Sequence, residues 1–302
     1  MSSLIYGASG FVANNLISML SRFGRNHFIL IDKAEKPEIP DDIFKGCKVD
    51  LVKGEKLIGL IDDSSIEEAV CLAGATSVDA GLDNPAETMR NNLDIAVEFG
   101  EWLRLNPHIR AVYMSSDEVL GPSSVPLAEE APLLPSQPYA ASKAAGEMII
   151  HNYRDVYGIS VSTLRSCNLI GKGQRQPKLL PTAVDCLLRN KPVPIHGDGL
   201  QKREWLAVED ICTAIEILLR PGIRPAIYQA CSGYHRSVLD VVSMIAETLG
   251  HSFAYKHVKD RRIQDNCYAM QSDRIQSIGW RVGLNPATAI KNAGRGLATK
   301  HL

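Results

Sequence analysis

The chain has 302 residues, 45% of them hydrophobic, and a formal net charge of −1, enough sequence to bury a large core in one body or in a body with a smaller lobe. So small a charge gives no global pull toward nucleic acid or an anionic membrane, so an anionic ligand must be met by local groups, and no apolar run reaches bilayer length. Seven cysteines without CxxC spacing read as reduced, structural thiols of a cytoplasmic protein with no metal site, and the start runs straight into a glycine loop, leaving no room for a signal peptide.

In chain order, Leu4-Ile5-Tyr6 predicts a first strand, followed by a glycine loop and a helix to about Phe23. Phe28-Ile29-Leu30-Ile31 is the second strand. Further apolar runs centre on Val49, on Ala69 to Leu72, on Ala111 to Met114 and on Ser160 to Leu164. Helical patterns separate the later ones, over Pro85 to Leu105 and Ala140 to Tyr157. This alternation predicts a doubly wound parallel sheet of Rossmann type with helices on both faces. After Arg165 the rhythm breaks into Pro- and Gly-rich pieces, while Val208 to Leu219 and Ala226 to Ala230 read as a return to the first body. The expected organisation is therefore a nucleotide-binding domain over 1–164 with return segments near 205–230. An interleaved α/β substrate lobe takes 165–204 and 231–302.

Gly7-Ala8-Ser9-Gly10-Phe11-Val12-Ala13 follows the first strand and opens the first helix. Glycines there permit a tight turn and let backbone N–H groups approach a pyrophosphate at the positive helix end. The spacing is GxxGxxA, which alone fits a plain turn equally well. Context supplies the rest: Asp32 ends the second strand, where an acid accepts the hydroxyls of an adenosine ribose and disfavours a 2′-phosphate, so NAD is expected over NADP. Lys33 next door pulls the other way. Asp50 and Leu51, taken to follow the third strand, meet the adenine edge, although Asp50 also reads as a solvated turn acid. Leu72-Ala73-Gly74 after the fourth strand are small enough for a cofactor lying across the strand ends.

Ser115-Ser116-Asp117-Glu118 ends the fifth strand, and Tyr139-Ala140-Ala141-Ser142-Lys143 opens the helix after it. A Tyr four residues before a Lys shares its helix face, and the ammonium is expected to lower the phenol's pKa enough to make it a proton acceptor. Two adjacent carboxyls divide acid and base work when their surroundings separate their pKa values. The bland alternatives are a helix cap with first-turn acids and an ordinary exposed Tyr/Lys pair. In this order on a nucleotide-binding sheet, the set points to a redox enzyme that also eliminates water.

With these pieces in place the chain resembles the extended short-chain dehydrogenase/reductase family, nearest to its nucleoside-diphosphate-sugar 4,6-dehydratases of the dTDP-glucose type. The likeness runs through the glycine loop, Ile31-Asp32-Lys33, Ser77-Val78-Asp79, Asp83-Asn84-Pro85, Ser115 to Gly121 and the Tyr139/Lys143 pair. It continues through Arg165 to Pro181, His196 to Gly199, Arg203 to Leu206, Val208-Glu209-Asp210, Asp260-Arg261 and Tyr268-Ala269. Asp-Glu after the strand-end hydroxyl separates dehydratases from the family's epimerases and decarboxylases. The resemblance implies that Tyr139, with Lys143 and Ser116, takes the sugar O4 proton during C4 oxidation. Glu118 then removes the C5 proton, Asp117 protonates the departing C6 hydroxyl, and hydride returns to C6. It also implies that Ser77, Asn168, Lys178, Leu179, Arg203 and Arg261 hold the diphosphate and sugar of a nucleoside-diphosphate-hexose. A homodimer is expected to pair the Pro85–Leu105 and Ala140–Tyr157 helices. Ala80-Gly81, Leu169 to Lys172 and Leu120 depart from the dTDP-glucose pattern, in the sugar and nucleotide pocket. Dehydratase chemistry is thus better supported than dTDP-glucose as substrate. An epimerase, a decarboxylase, a 5,6-dehydratase and a non-catalytic NAD-binding regulator are the rival readings.

Overall fold

Five of the apolar runs, with the run around Val49 and the short Ile227–Ala230 piece, lie side by side in one sheet. The computed structural model describes residues 2–33, 46–54, 57–59 and 65–299. Its strands are β1 (Ser2–Tyr6), β2 (His27–Asp32), β3 (Lys48–Lys53), β4 (Ile66–Cys71), β5 (Arg110–Met114), β6 (Ser160–Ser166) and, later, β10 (Ile227–Ala230). They form a seven-stranded sheet in the order β10-β6-β5-β4-β1-β2-β3, every pair parallel. The order reverses between β1 and β4, which opens a crevice at their carboxyl ends, the ligand position of doubly wound sheets.

Helix α1 (Phe11–Arg22) follows β1, and α2 (Val78–Asp83), α3 (Pro85–Leu105) and α4 (Pro138–Tyr157) follow in order. Pro85 and Pro138 each sit in the first turn, where a missing N–H costs nothing. Two contacts press α4 onto the sheet. Gly146 lies so close to Tyr113 of β5 that a Cβ would collide with the phenol. Arg165 of β6 and Glu147 of α4 form a fully buried pair, with Nη2–Oε2 at 2.7 Å and Nε–Oε1 at 3.0 Å.

Beyond β6 the chain builds β7 (Asn168–Ile170), α5 (Leu179–Leu188), β8 (Val193–His196), β9 (Lys202–Ala207), α6 (Val208–Leu218), β11 (His235–Ser237), α7 (Val238–Leu249), β12 (Tyr255–Val258), α8 (Asp273–Ser277) and α9 (Pro286–Ala298). Strands β11-β9-β7 form one small sheet and β12-β8 another. A separate apolar core, including Val184, Trp205, Val242 and Ile290, holds α5, α7 and α9 against them. Helix α6 packs instead with α1 and the large-sheet core. Among the described residues the Pro- and Gly-rich stretch thus contains four helices that the sequence pattern did not resolve, α5, α7, α8 and α9. One of them, α7, starts with a capping box between Ser237 and Asp240.

Candidate active site

The loop after β1 turns at Gly7, whose φ is +90°, and a Cβ there would lie 2.5 Å from the Ala73 backbone nitrogen. Only glycine supplies both the left-handed angle and that approach. The loop leads to Gly10, the N-cap of α1, where no side chain caps the helix and no acid occupies the first turn. Free first-turn N–H groups at a positive helix end suit a pyrophosphate. Ser9 donates to Asp32 Oδ2 from both its backbone N–H (2.8 Å) and its hydroxyl (2.6 Å), so the acid at the end of β2 also sets the loop's shape. Asn15 ties the start of α1 to the next lobe through the Phe11 and Lys172 carbonyls, at 2.9 and 3.0 Å. Val12 is half-buried beside Cys212, and Leu72, Ala73 and Gly74 line the crevice after β4. The arrangement fits a dinucleotide.

Asp50 and Leu51 need correction. Strand β3 runs on to Lys53, so both lie within the strand, and Asp50 pairs with Ile29, three positions short of Asp32. Its carboxylate is held by His27 Nε2 at 2.7 Å and by Lys48 at 3.0 Å, hydrogen bonds that lower its pKa. Leu51 and Lys33 are exposed. A charged edge strand carries a weak apolar signal, which is why its end was misplaced.

Ser116 is the N-cap of a short 3₁₀ turn, Asp117–Leu120, that follows β5. Its hydroxyl donates to Asp117 Oδ1 at 3.0 Å and accepts from the Glu118 N–H at 3.3 Å. Asp117 is 4% exposed, and its Oδ2 has no hydrogen-bond partner among the described residues. Burial, and then the charge of Glu118, push its pKa to about 8, leaving a neutral acid at neutral pH. Glu118 reaches into the cleft between the two lobes. Burial raises its pKa, opposed by Arg203 of β9 and by Lys178.

Tyr139 and Lys143 sit one turn apart on the buried face of α4. Burial and then the Glu118 charge hold the phenol well above its usual range, outweighing the opposite influence of nearby Ser116. The expectation that the ammonium lowers this pKa is therefore corrected. Lys143 Nζ donates to the Met114 carbonyl at 2.8 Å and lies 5.2 Å from the Tyr113 ring centre, and burial lowers its own pKa.

The other sequence candidates are spread more widely. Ser77 caps α2, accepting from the Ala80 N–H at 3.2 Å. Asn168 lies on β7 opposite Trp205. Lys178 precedes α5 and donates across the cleft to the Thr76 carbonyl at 3.0 Å, with half-buried Leu179 beside it. Arg203 donates to the Lys202 and Asp265 carbonyls and covers the Tyr268 ring at 5.2 Å. Arg261 does not face the carboxyl pair; it grips Asp79 of α2 bidentately at 2.6 and 3.0 Å. Among the described residues no group of three His, Cys, Asp or Glu side chains is placed to hold a metal ion. No helix there is long and apolar enough to cross a membrane.

Three groups were not read from the sequence. Gln137 caps α4 through Tyr139 N–H (2.7 Å) and donates from Nε2 to Glu118 Oε2. Asn92 of α3 joins the Ala75 backbone to the Ser142 hydroxyl, which it meets at 2.7 Å. Asp265 meets Ser136 and Tyr268 beside the carboxyl pair. Only the cap had a local signal, a polar residue immediately before Pro138.

A family model described as "NAD dependent epimerase/dehydratase family" matches residues 3–231. A dTDP-glucose 4,6-dehydratase of Streptomyces antibioticus is 30% identical over 306 residues, covering 93% of this chain and 88% of that protein. A trifunctional UDP-glucose 4,6-dehydratase/3,5-epimerase/reductase of Arabidopsis thaliana is also 30% identical, over 92% of this chain. The chain spans only 44–46% of the length of that protein and two plant relatives like it. Among solved structures, a dTDP-glucose 4,6-dehydratase from Streptomyces venezuelae with NAD bound superposes with a TM-score of 0.93 at 25% identity. That match covers 100% of this chain and 98% of the other.

Proposed function

Since the chain belongs to the NAD dependent epimerase/dehydratase family, we propose that it is a nucleoside-diphosphate-sugar 4,6-dehydratase, forming a 4-keto-6-deoxy sugar. The observation that carries this reading is the pair of adjacent acids, Asp117 and Glu118, with raised proton affinity beside Tyr139. Epimerisation has no leaving oxygen to protonate, whereas β-elimination from a ketone needs a base at one carbon and an acid at the oxygen that departs.

The Gly7–Val12 loop, Asp32, Lys33 and Leu72 to Gly74 hold NAD, with Tyr139 and Lys143 facing its reactive end. When bound, oxidised NAD brings positive charge to the site and the capacity to take and return a hydride. Tyr139 takes the O4 proton as C4 is oxidised; burial opposes the phenolate that this step needs, and the positive charges of Lys143 and of oxidised NAD would favour it, with Ser116 beside the phenol. Glu118 removes the C5 proton that the new ketone has made acidic. Neutral Asp117, with one oxygen unpartnered, gives its proton to the departing C6 hydroxyl. Water is thereby lost across C5 and C6 before hydride returns to C6 and a proton to C5.

Segments 165–204 and 231–302 form the sugar-nucleotide lobe in this reading. Arg203, Lys178 and Arg261 meet the diphosphate, and Ser77, Asn168 and Leu179 meet the rest of the substrate. Arg261 reaches it by exchanging Asp79 for phosphate. Exposed Val97, Leu105, Met148 and Tyr157 on α3 and α4 suit a homodimer formed through that helix pair. The relatives' printed activities include both dTDP- and UDP-glucose, so the base of the nucleotide is left to experiment. The free cysteines suit a cytoplasmic enzyme.

The test is a panel of dTDP-, UDP-, GDP- and CDP-hexoses incubated with the protein and NAD in water and in D₂O, with masses read by LC–MS. A product lighter by one water that gains deuterium at C5 is expected, and Glu118→Gln should abolish water loss while keeping transient absorbance of reduced cofactor. Deuterium gain without water loss would instead assign epimerisation. Loss of carbon dioxide from a uronic acid would assign decarboxylation.

A further inference from the structure

Glu118 lies where the two lobes meet, and the groups that face it come from both. From the large-sheet body come Asp117 beside it in the chain, Tyr139, and Gln137, which donates to its Oε2. From the other lobe come Arg203, Lys178, Tyr268 and Asp265. Asp265 differs from the rest in being a second carboxylate from a distant loop, tied into the site by three bonds. Its Oδ2 accepts from the hydroxyls of both Ser136 and Tyr268, and its backbone carbonyl accepts from Arg203 at 2.9 Å. Ser136 immediately precedes Gln137. One dipeptide at the start of α4 therefore holds both carboxylates, Asp265 through Ser136 and Glu118 through Gln137.

We infer that Asp265 is a positioning residue for Glu118: its contact with Ser136 fixes Gln137, which orients the Glu118 carboxyl, and its own charge makes that carboxyl a stronger proton acceptor. The arrangement answers a chemical need. Arg203 and Lys178, suited to a diphosphate, also stabilise ionised Glu118 and so weaken it as a base. A carboxylate from the same lobe, whose residue is bonded to Arg203 through its backbone carbonyl, offsets the two cations without removing them. The inference rests on the reading of Glu118 as the C5 base, and its test includes a measurement that does not use the reaction.

Asp265→Asn keeps an oxygen for both hydroxyls and removes the charge; Asp265→Glu keeps the charge; Ser136→Ala cuts the link alone. In each NAD-loaded protein, glutamate carboxyls labelled with carbon-13 are titrated by NMR, with Glu118 assigned by its absence from Glu118→Gln. The Glu118 midpoint should move to lower pH in Asp265→Asn and stay near wild type in Asp265→Glu and Ser136→Ala. In the pH profile of water loss, the acidic limb of Asp265→Asn should move to lower pH, so that its rate at the acidic end rises relative to its own plateau. Ser136→Ala should lower the plateau without moving the limb. An unchanged midpoint in Asp265→Asn, or an unchanged plateau in Ser136→Ala, overturns the inference. A midpoint shifted in Asp265→Asn, together with a wild-type protein that removes water from no sugar, would support the link between the carboxylates and sink the dehydratase reading.

Discussion

Replacing Asp117 by asparagine separates what this carboxyl costs the fold from what it does. Its pKa rises from 3.8 to about 8 because burial penalises the anion and Glu118 lies beside it. The folded chain thus keeps a proton that the unfolded chain has released, and wild-type stability falls as pH rises from about 4 to about 8, then levels off. Between pH 5 and pH 8 the group spans about three units, which at about 1.4 kcal/mol each amounts to on the order of 4 kcal/mol. Relaxation and water entering the cleft reduce this to about 2–4 kcal/mol. Asparagine does not titrate, so any constant cost of its buried amide cancels when the two proteins are compared across pH. Urea unfolding of both, followed by the fluorescence of buried Trp102, Trp205 and Trp280, gives the difference at each pH. Asp117→Asn should gain on wild type steadily from pH 5 to 8 while losing the elimination step. If the difference changes by less than about 1 kcal/mol over that range, near the uncertainty of extrapolation, Asp117 is ionised in the fold and is not the acid.

Gly7→Ala combines a strained backbone angle, about 1–2 kcal/mol, with overpacking against Ala73, about 1–3 kcal/mol. A lower urea midpoint and weaker NAD binding by calorimetry are expected, and unchanged values of both would remove the loop from the cofactor site. Glu147→Ala leaves Arg165 buried and unpaired, a loss of about 3–5 kcal/mol in chemical denaturation. Conversion of both residues to apolar ones of similar volume should recover most of it. Asp79→Ala frees the Arg261 guanidinium from a partly exposed pair worth about 0–1 kcal/mol, so titration with the nucleoside diphosphate of the active substrate should show up to about fivefold tighter binding. Weaker binding would mean that Asp79 positions Arg261 rather than competing for it.

Where a side chain's fate was decided by its near neighbours, the chain could be read directly. Helix α3 runs from Pro85 to Leu105 as its pattern predicts, because a first-turn proline and a long amphipathic repeat act locally. Tyr139 and Lys143 share a buried face because helical spacing requires it. The start of α4 was read two residues late, since Gln137 and Pro138 act as cap and first turn rather than as apolar periodicity. Strand β11 is three residues long and owes its existence to pairing with β9. Gln137's bond to Glu118 spans 19 positions within the large-sheet body, and Asp265's bond to Ser136 spans 129 and forms only when the two lobes pack together. The raised pKa of Tyr139 was missed for the same reason: burial is a tertiary quantity that Tyr-x-x-x-Lys spacing does not contain.

Ser116, Asp117, Glu118, Tyr139 and Lys143 are all carried by elements of the large sheet, whereas Lys178, Arg203, Asp265 and Tyr268 come from the other side of the cleft. A lineage built this way can drift in one half without erasing the other. If the proposed site is the one used, changes on the second side would retune how strongly Glu118 holds a proton and which sugar fits over it, while the groups on the large sheet would keep their scaffold. The residues to randomise in redirecting such an enzyme would then be those opposite the sheet, Lys178, Arg203, Asp265 and Tyr268.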